Sequence, residues 1–561
     1  MTSTTVRIAG FLALAVSLGC GAAEMPPDIG TTVREIERQR PVPPPKSDSS
    51  LNVEQKARPA LDAAAGVTFK VTSVRISGAT AFTDMQLLPL TDGIAGNEVT
   101  LADLERAADR ITQFYRANGF PVARAYVPAQ SIDRGGVEIA VLEGRYGKLD
   151  VRNHSRLSDR LVADTLRAPD TDRVIETSPL DHDLLVLKDL SGISVAATLT
   201  PGERVGTADL VVDVAATPTY SGTLESDNYG NRYTGESRYG GSVAAANLAG
   251  RGDLLSVRGL ISQDSGLWYG RAAYQIPVTG GGLSVGGALS HTYYSLGERF
   301  DVLDADGDAN IYTAFAQYPL VRSVRGSLDV QTAYNYFDLE DNVNSTNSVN
   351  PRRLQSATLS VSGSLRDDWF GGAINAASIA YGHGELHLQN SLAAQIDDAT
   401  AQSEGSFDTA MYSLLRLQNV TGALQLYLGF QGQYASKNLD SSQKFVIGGP
   451  TAVRAYDQGV GVGDEGLLGT AELRYSLPTY RWLTRPQIVA FFDGGSVRVN
   501  VDRFLPTQNR IELYGAGVGV NVDIPYGFAL HGSVAWQIGS DAGIDESNSG
   551  AQGWIQLVKS F

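Results

Sequence analysis

Three sets of residues in this chain have types and spacings that could do chemistry. Gly282-Leu283-Ser284-Val285-Gly286 matches the G-x-S-x-G pattern, which in hydrolases sets a nucleophilic serine on a sharp strand-to-helix turn. Here the five residues open a run of two-residue alternation, so the turn and its helix are missing. Asp304, Asp306 and Asp308 surround Gly307, but the spacing and closing glutamate of an EF-hand are absent. They read as solvated loop acids. The histidines (His154, His182, His291, His383, His387 and His531) have no metal-ligand spacing, and the near pair His383 and His387 fits lumen or interface positions on an alternating strand. The expectation is a chain that is not an enzyme, with no catalytic residue, metal or cofactor.

What remains is a fixed charge in a glycine-rich setting. Gly448–Gly466 reads GGPTAVRAYDQGVGVGDEG, with Arg454 as its one basic residue. Before it, Leu424–Tyr434 puts Leu424, Leu426, Leu428 and Phe430 on one face and Gln425, Gln431 and Gln433 on the other. After it, Leu467–Tyr475 sets Leu467, Ala471, Leu473 and Tyr475 against Glu472 and Arg474. Such alternation over about ten residues is the pattern of a membrane-barrel strand. Further on, FFDGG places Phe491, Asp493 and Gly495 on one face and Ile488, Ala490 and Phe492 on the other. With the apolar face toward lipid, Asp493 points into the barrel. A candidate pore element and an ordinary surface hairpin both fit the glycine-rich stretch.

Val453-Arg454-Ala455-Tyr456, followed by Gly463-Asp464 and Gly466, resembles the VRGY/F loop of the two-partner secretion transporters. Phe491, Asp493 and Gly495 resemble that family's F-x-D-x-G strand motif. The resemblance implies a loop folded back into the lumen, with Arg454 paired to Asp493 and holding the pore in a defined resting state. In a wet lumen such a pair is itself worth about 0–1 kcal/mol, so its value is positional. Ala455 stands where the family usually has glycine, and a positive φ there would strain alanine.

The composition agrees with strands in a membrane. Gly 61 and Tyr 24 against Met 4 and Cys 1 in 561 residues suit curved barrel walls and interfacial girdles. A net charge of −16 argues against a nucleic-acid partner. Residues 1–23, with Arg7, the apolar run Ile8–Leu18 and Gly21-Ala22-Ala23, read as a secretory signal peptide. Cys20 falls inside it, which removes disulfides, zinc–thiolate sites and cysteine nucleophiles from the mature chain. No other apolar run reaches the roughly 18 residues of a membrane helix.

In chain order, residues 24–40, including DIGTTVREIERQR from Asp28 to Arg40, are expected as an amphipathic helix. Residues 41–65 open on PVPPP and are expected as a semi-rigid linker. The resemblance makes the helix a plug in the pore, held by polar contacts and able to leave. Residues 66–145 give a strand at Phe69–Ser77 and a helix at Leu101–Asn118 closed by Gly119. Two further strands follow, at Ala123–Pro128 and Val137–Leu142. This unit resembles a POTRA domain, with VPAQ (Val127–Gln130) and VLEG (Val141–Gly144) similar to the family's first one. Residues 146–216 contain LSGISVAATLTPGERVGTADL (Leu190–Leu210), similar to the family's LPGV…L-x-PG…G-T-x-DL pattern with Ser191 in place of proline. An open sheet edge in either unit would accept an extended client strand.

Residues 217–561 alternate throughout, in about sixteen segments from 219–229 to 551–561, an even number as a bacterial barrel requires. Three middle segments are expected at 309–320, 326–338 and 354–365. Ser295–Asp308, Asp341–Arg353 and Ser391–Gly405 are expected as long outer loops. Gly448–Gly466 falls in the sixth, between the eleventh and twelfth strands. The fold expected is therefore a membrane β-barrel of about sixteen antiparallel strands, preceded by a plug helix and two α+β POTRA domains. By resemblance, it is a translocator in the Gram-negative outer membrane with periplasmic POTRA domains. It would recognise the secretion domain of a haemagglutinin- or haemolysin-like exoprotein and export it without nucleotide hydrolysis. Its other partners would be outer-membrane lipid and, through the terminal Phe561, the barrel-assembly machinery. The alternatives are an assembly factor of the same superfamily and a passive porin. Two modules rather than five, and the helix-then-linker order, argue against the first; a porin has no use for soluble modules.

Overall fold

The computed structural model describes residues 27–38, 51–53, 67–132, 134–167, 173–264, 266–480, 483–506, 508–539 and 550–561. The expected signal peptide and most of the expected linker lie outside the described residues. The first elements are helix α1 (Ile29–Arg38) and a short strand β1 (Leu51–Val53).

The first soluble unit comprises β2 (Thr68–Lys70), β3 (Ser73–Ser77), α2 (Asp84–Leu87), β4 (Glu98–Thr100), α3 (Leu101–Ala117), β5 (Arg124–Tyr126) and β6 (Gly136–Leu142). Helix α3 starts where Thr100 and Asp103 exchange hydrogen bonds with each other's backbone N–H, which satisfies two otherwise orphaned donors. It ends before Gly119, whose φ of +92° suits glycine. Leu104, Ala108, Ile111 and Tyr115 bury one face of α3 against the sheet β3-β6-β5. The segment expected as one strand, Phe69–Ser77, is broken in two. Val71 N–H donates to Asn97 O (3.0 Å) and Thr72 N–H to Gly135 O (2.7 Å), so the chain leaves the β2–β4 pair and joins another sheet.

The second unit holds β7 (Arg145–His154), α4 (Asp159–Leu166), α5 (Thr177–Asp189), β8 (Ile193–Pro201) and β9 (Thr207–Ala216). Its sheet order is β1-β8-β9-β7, with Val162, Leu187, Leu199, Leu210 and Val214 in the core beneath the helices. The edge strand β1 comes from the region expected to be a linker. Nothing in a three-residue segment carries enough periodicity to announce it.

Sixteen antiparallel strands then close a barrel. The first eleven are β10 (Tyr220–Asp227), β11 (Arg238–Ala246), β12 (Leu254–Ser262), β13 (Leu267–Pro277), β14 (Ser284–Ser295), β15 (Ala305–Arg322), β16 (Gly326–Val343), β17 (Ser348–Asp367), β18 (Ala373–Leu388), β19 (Gly405–Asn419) and β20 (Leu424–Ala435). The next loop contains a two-strand ribbon, β21 (Phe445–Val446) and β22 (Val462–Gly463). The last five are β23 (Glu465–Ser476), β24 (Thr484–Arg498), β25 (Arg510–Ile524), β26 (Phe528–Gln537) and β27 (Ala551–Ser560). The barrel closes where Thr223–Asp227 of β10 pair with Gln556–Ser560 of β27. Leu414, Phe430, Phe492, Val518 and Ile555 are exposed on the outer wall, as side chains meant for lipid must be.

Strands β15 to β17 run further than expected, to 18, 18 and 20 residues. The extra length covers 305–308, 339–343 and 348–353, so Asp306 and Asp308 are strand residues rather than loop acids. Beyond the bilayer neither face of a strand needs apolar side chains, so pairing continues there without the alternation that marks it. The expected loop 391–405 contains a further helix, α6 (Ser391–Ala399), capped by the Asn390 side chain. His383 and His387 lie on the exposed face of β18, paired with Asp408 (2.9 Å) and Glu404 (3.2 Å).

The second soluble unit is docked on the barrel's near rim. Ser158 N–H donates to Gly250 O (2.8 Å) and Ser191 N–H to Gly252 O (3.2 Å), both in the turn between β11 and β12. Arg322 Nε lies 2.7 Å from Asp189 Oδ2, and its other nitrogens hold Asp329 at 2.6 and 3.0 Å. Its backbone N–H donates to His182 Nδ1 (3.2 Å).

Candidate functional site

The loop between β20 and β23 turns inward instead of covering the mouth. Its ribbon holds the two limbs together, and Ile447 N–H donates to Gly461 O (2.9 Å) beside it. Val453, Ala455 and Tyr456 at the tip are buried against the inner wall with Phe491, Leu513 and Val497.

Arg454 meets Asp493 side-on. Its Nε donates to Oδ2 and its Nη2 to Oδ1, both at 2.8 Å, and its backbone N–H reaches Oδ2 at 3.2 Å. Its Nη1 lies 2.8 Å from Glu472 Oε1, and the other oxygen of that carboxylate, Oε2, takes Arg474 (2.6 Å). The guanidinium lies over the Phe491 ring, 3.5 Å from the centroid. The strand motif thus supplies an acid for the fork and a ring for its face. Its glycine supplies room, since a Cβ on Gly495 would lie 3.0 Å from Ile447 Cβ and 3.3 Å from Val453 Cγ2. Asp493 is 0 % and Arg454 14 % exposed. The pair is therefore not the wet one expected, and removing one partner of such a buried pair costs about 3–5 kcal/mol.

Ala455 is not among the described residues with positive φ, so the expected strain does not arise. Sequence reasoning missed three contributors. Glu472 was legible as an inward residue of β23, but not as a second acid for Arg454. Trp554 of β27 donates its indole N–H to Arg454 O (2.8 Å); its parity puts it inside, and nothing local announces its partner. Gly517 lies beneath Phe491, where a Cβ would come 2.4 Å from the ring.

Helix α1 lies inside the barrel beside this loop. The expectation of a plug held by polar contacts is half of what the structure contains. Ile29, Val33 and Ile36 form a buried apolar stripe against Tyr233, Leu267, Tyr269, Tyr294 and Ile311. The polar half sits at the N-terminus. Ile29 N–H donates to Asp341 Oδ1 (2.9 Å), which also accepts the Tyr294 hydroxyl (2.6 Å). Arg352 binds Asp341 (2.5 Å) and Asp440 (2.7 Å) and reaches Asp28 (3.5 Å). Negative charge at a helix N-terminus also complements its dipole. Helix and loop also meet each other. Arg34 Nη2 donates to Gln433 Oε1 (3.1 Å), whose amide donates to Asp464 O (3.0 Å); and Gly30 leaves the space that Ser441 and Ser442 fill.

No group of His, Cys, Asp or Glu able to hold a metal occurs among the described residues. Ser284 is a strand residue of β14, facing Pro277 and Gln317 on its neighbours. The site is a pore occupied by a helix and an inward loop, under a barrel carrying two soluble units.

That arrangement defines an outer-membrane transporter of the POTRA-and-barrel class. The chain belongs to the family described as haemolysin secretion/activation protein ShlB/FhaC/HecB, which it matches over residues 206–522. Residues 69–144 match the ShlB-type POTRA domain. The chain is 28% identical to the heme/hemopexin transporter protein HuxB of Haemophilus influenzae (strain 86-028NP), over 98% of each. It is 21% identical to the outer membrane transporter CdiB of Dickeya dadantii (strain 3937), over 84% of this chain and 83% of that one. The solved structure of CdiB from Escherichia coli superposes with a TM-score of 0.69 at 18% identity, covering 92% of this chain and 94% of that one. This protein is thus a two-partner secretion transporter of the outer membrane, with periplasmic POTRA domains, that exports a partner exoprotein.

Proposed function

We propose that α1 and the Arg454 loop together set the closed state of the pore, and that export requires the helix to leave while Arg454–Asp493 keeps the loop in place. The observation that carries this is the burial of both inside the barrel, the helix on β14 to β16 and the loop on β23 to β25, with Arg352 tying the helix end to the barrel and to Asp440 of the loop and Arg454–Asp493 tying the loop tip to the wall. The soluble units would capture the unfolded secretion domain, which then threads the emptied barrel and folds outside. Folding of the client at the surface supplies the drive, and the chain performs no bond chemistry itself. Barrel lipid contacts and insertion by the barrel-assembly machinery, signalled by the alternating last strand ending at Phe561, complete the partner set. The full-length match to a protein named for heme/hemopexin transport makes an exported heme-acquisition protein the first client to test.

The test is export of the candidate client by cells carrying Arg454→Ala, with barrel integrity read by heat-modifiable mobility. Lost export from an intact barrel supports the reading. Normal export removes Arg454 from the mechanism, and collapse of many unrelated barrels would assign the chain to barrel assembly instead.

A further inference from the structure

The plug helix carries a buried carboxyl that neither ion-pair cluster uses. Glu35 follows Arg34 on α1 and is 7 % exposed. It faces the inward loop a few residues beyond the Arg454 tip. Its Oε1 lies against Gly459, where a Cβ would come 2.6 Å from that oxygen and 3.0 Å from Asn231 Nδ2. Gly459 also has a φ of +91°, so both its backbone and the space beside it call for glycine. Asn231 donates to Gln458 O (3.0 Å), which ties the first outer loop into the same corner. The carboxyl is hydrogen-bonded to the Gln458 side chain, while Oε1 is buried without a hydrogen-bond partner.

The charges around this corner are engaged elsewhere. Arg238 of β11 is held by Asp227 of β10 at 2.9 Å, and both side chains are almost wholly buried. Arg232 of the first outer loop lies 4.0 Å from Asp457, next to Gln458. Asp28, at the start of the helix, adds negative charge and is reached by Arg352. Arg34 turns to Gln433 and Met411. Among the described residues no cation forms an ion pair with Glu35. A carboxylate is costly to bury when water and a counter-ion are both missing, so burial favours the neutral acid here.

We propose that α1 seats in the pore with Glu35 protonated, making the corner of Glu35, Gln458 and Gly459 a proton-operated latch on the closed state. Once the helix leaves, the same carboxyl is in water and ionises at about 4.3. Above that value, seating takes up one proton. The latch is therefore complete in acid, below about 4.3, and weakens as pH rises, by about tenfold per pH unit, until the seated carboxyl itself ionises. This rests on the reading of α1 as a plug that departs during export.

The experiment compares the full chain with Glu35→Gln in planar bilayers at pH 6, 7 and 8, with heat-modifiable mobility showing both barrels intact. The ratio of open to closed time in the parent should rise with pH, by up to about tenfold per unit. Glu35→Gln, which keeps the shape and carries no charge, should be flat and as closed at pH 8 as the parent is at pH 6. A parent without pH dependence, or a variant with the parent's slope, overturns the proposal. The second measurement is the infrared carbonyl stretch of a neutral carboxylic acid, which the parent should show at pH 7 and Glu35→Gln should lack; equal spectra overturn the proposal even if the variant seats its helix poorly. Should a chain lacking residues 28–38 open no more often than the parent, the plug reading falls instead, and the infrared band alone decides whether Glu35 is seated as the acid.

Discussion

Gly515 and Ala455 are complementary. A Cβ built on Gly515 would lie 2.5 Å from the Ala455 Cβ, so strand β25 lacks a side chain where the inward loop carries a methyl. Gly515→Ala should therefore push the loop tip off the wall, at about 1–3 kcal/mol for overpacking, and lower export. Adding Ala455→Gly removes the second methyl and should restore both. Protease resistance of residues 448–466 and client export are the readouts. Failure of the double variant to recover would show that Gly515 acts through the strand alone.

The plug should be loosened from either half of its attachment. Val33→Asp places a carboxylate in the apolar seam and forfeits about 1.5–3 kcal/mol of burial. Arg352→Ala leaves Asp341 and Asp440 unpaired. Each should raise the frequency of pore opening in planar bilayers, while heat-modifiable mobility shows the barrel intact. If only Arg352→Ala has an effect, the apolar seam is incidental to closure.

Docking of the second POTRA unit on the barrel should weaken in acid. His182 accepts the Arg322 backbone N–H on Nδ1, which requires a neutral ring. Burial lowers its pKa; Asp183 opposes this, and Arg167 and Arg322 add to it. Above the ordinary value of about 6.5 the ring is neutral docked or undocked, and the contact is present in full. As pH falls through that value the undocked form binds its proton first, so docking is lost progressively until the lower, docked pKa is passed. Hydrogen exchange of the backbone at 247–253 and 322–326 should rise between pH 7.5 and 5.5. His182→Gln, which still offers an acceptor, should flatten the dependence.

The first POTRA unit should depend on Glu143. Its carboxylate accepts the Ala81 N–H (2.7 Å) and the Tyr115 hydroxyl (3.0 Å), and binds Thr80 through backbone and hydroxyl. Burial works to raise its pKa, and these hydrogen bonds outweigh it and hold the carboxyl below the usual range. The stabilisation is therefore complete above the unfolded value of about 4.3 and is lost as pH falls toward the depressed folded value. Glu143→Gln should cost about 1.5–3 kcal/mol at neutral pH and remove that acid dependence. Protease resistance of residues 67–144 across pH 7 to 3 checks both.

The lipid-facing wall was legible because lipid enforces alternation: β10 (Tyr220–Asp227) and β27 (Ala551–Ser560) differ from their readings, 219–229 and 551–561, by a residue or two. Strands β15 to β17 were under-read because the enforcing solvent stops at the membrane surface while hydrogen bonding does not. Around Arg454 the sequence offers residue types but not depth. Asp493 could be placed inside by parity, yet the arginine that meets it is itself held by Phe491, with Gly517 beneath it, and by Trp554, which come together only when three separate strands are assembled. The apolar stripe of α1 was visible as amphipathicity, but its partner surface is spread over five barrel strands and the first outer loop. Strand β1 was illegible for the opposite reason, being too short to have a pattern.

The seating of α1 also has a consequence for the order of assembly. Each barrel strand pairs with a neighbour close in sequence, apart from the closing pair β10–β27, whereas Ile29 reaches Asp341 across 312 residues. Contacts at such separation carry the larger loop-closure cost and form after local ones. The helix leaves the ribosome before any barrel strand and takes its place after them. Seating of α1 is thus a late step of assembly, completed only once Asp341 on β16 is in place to receive Ile29.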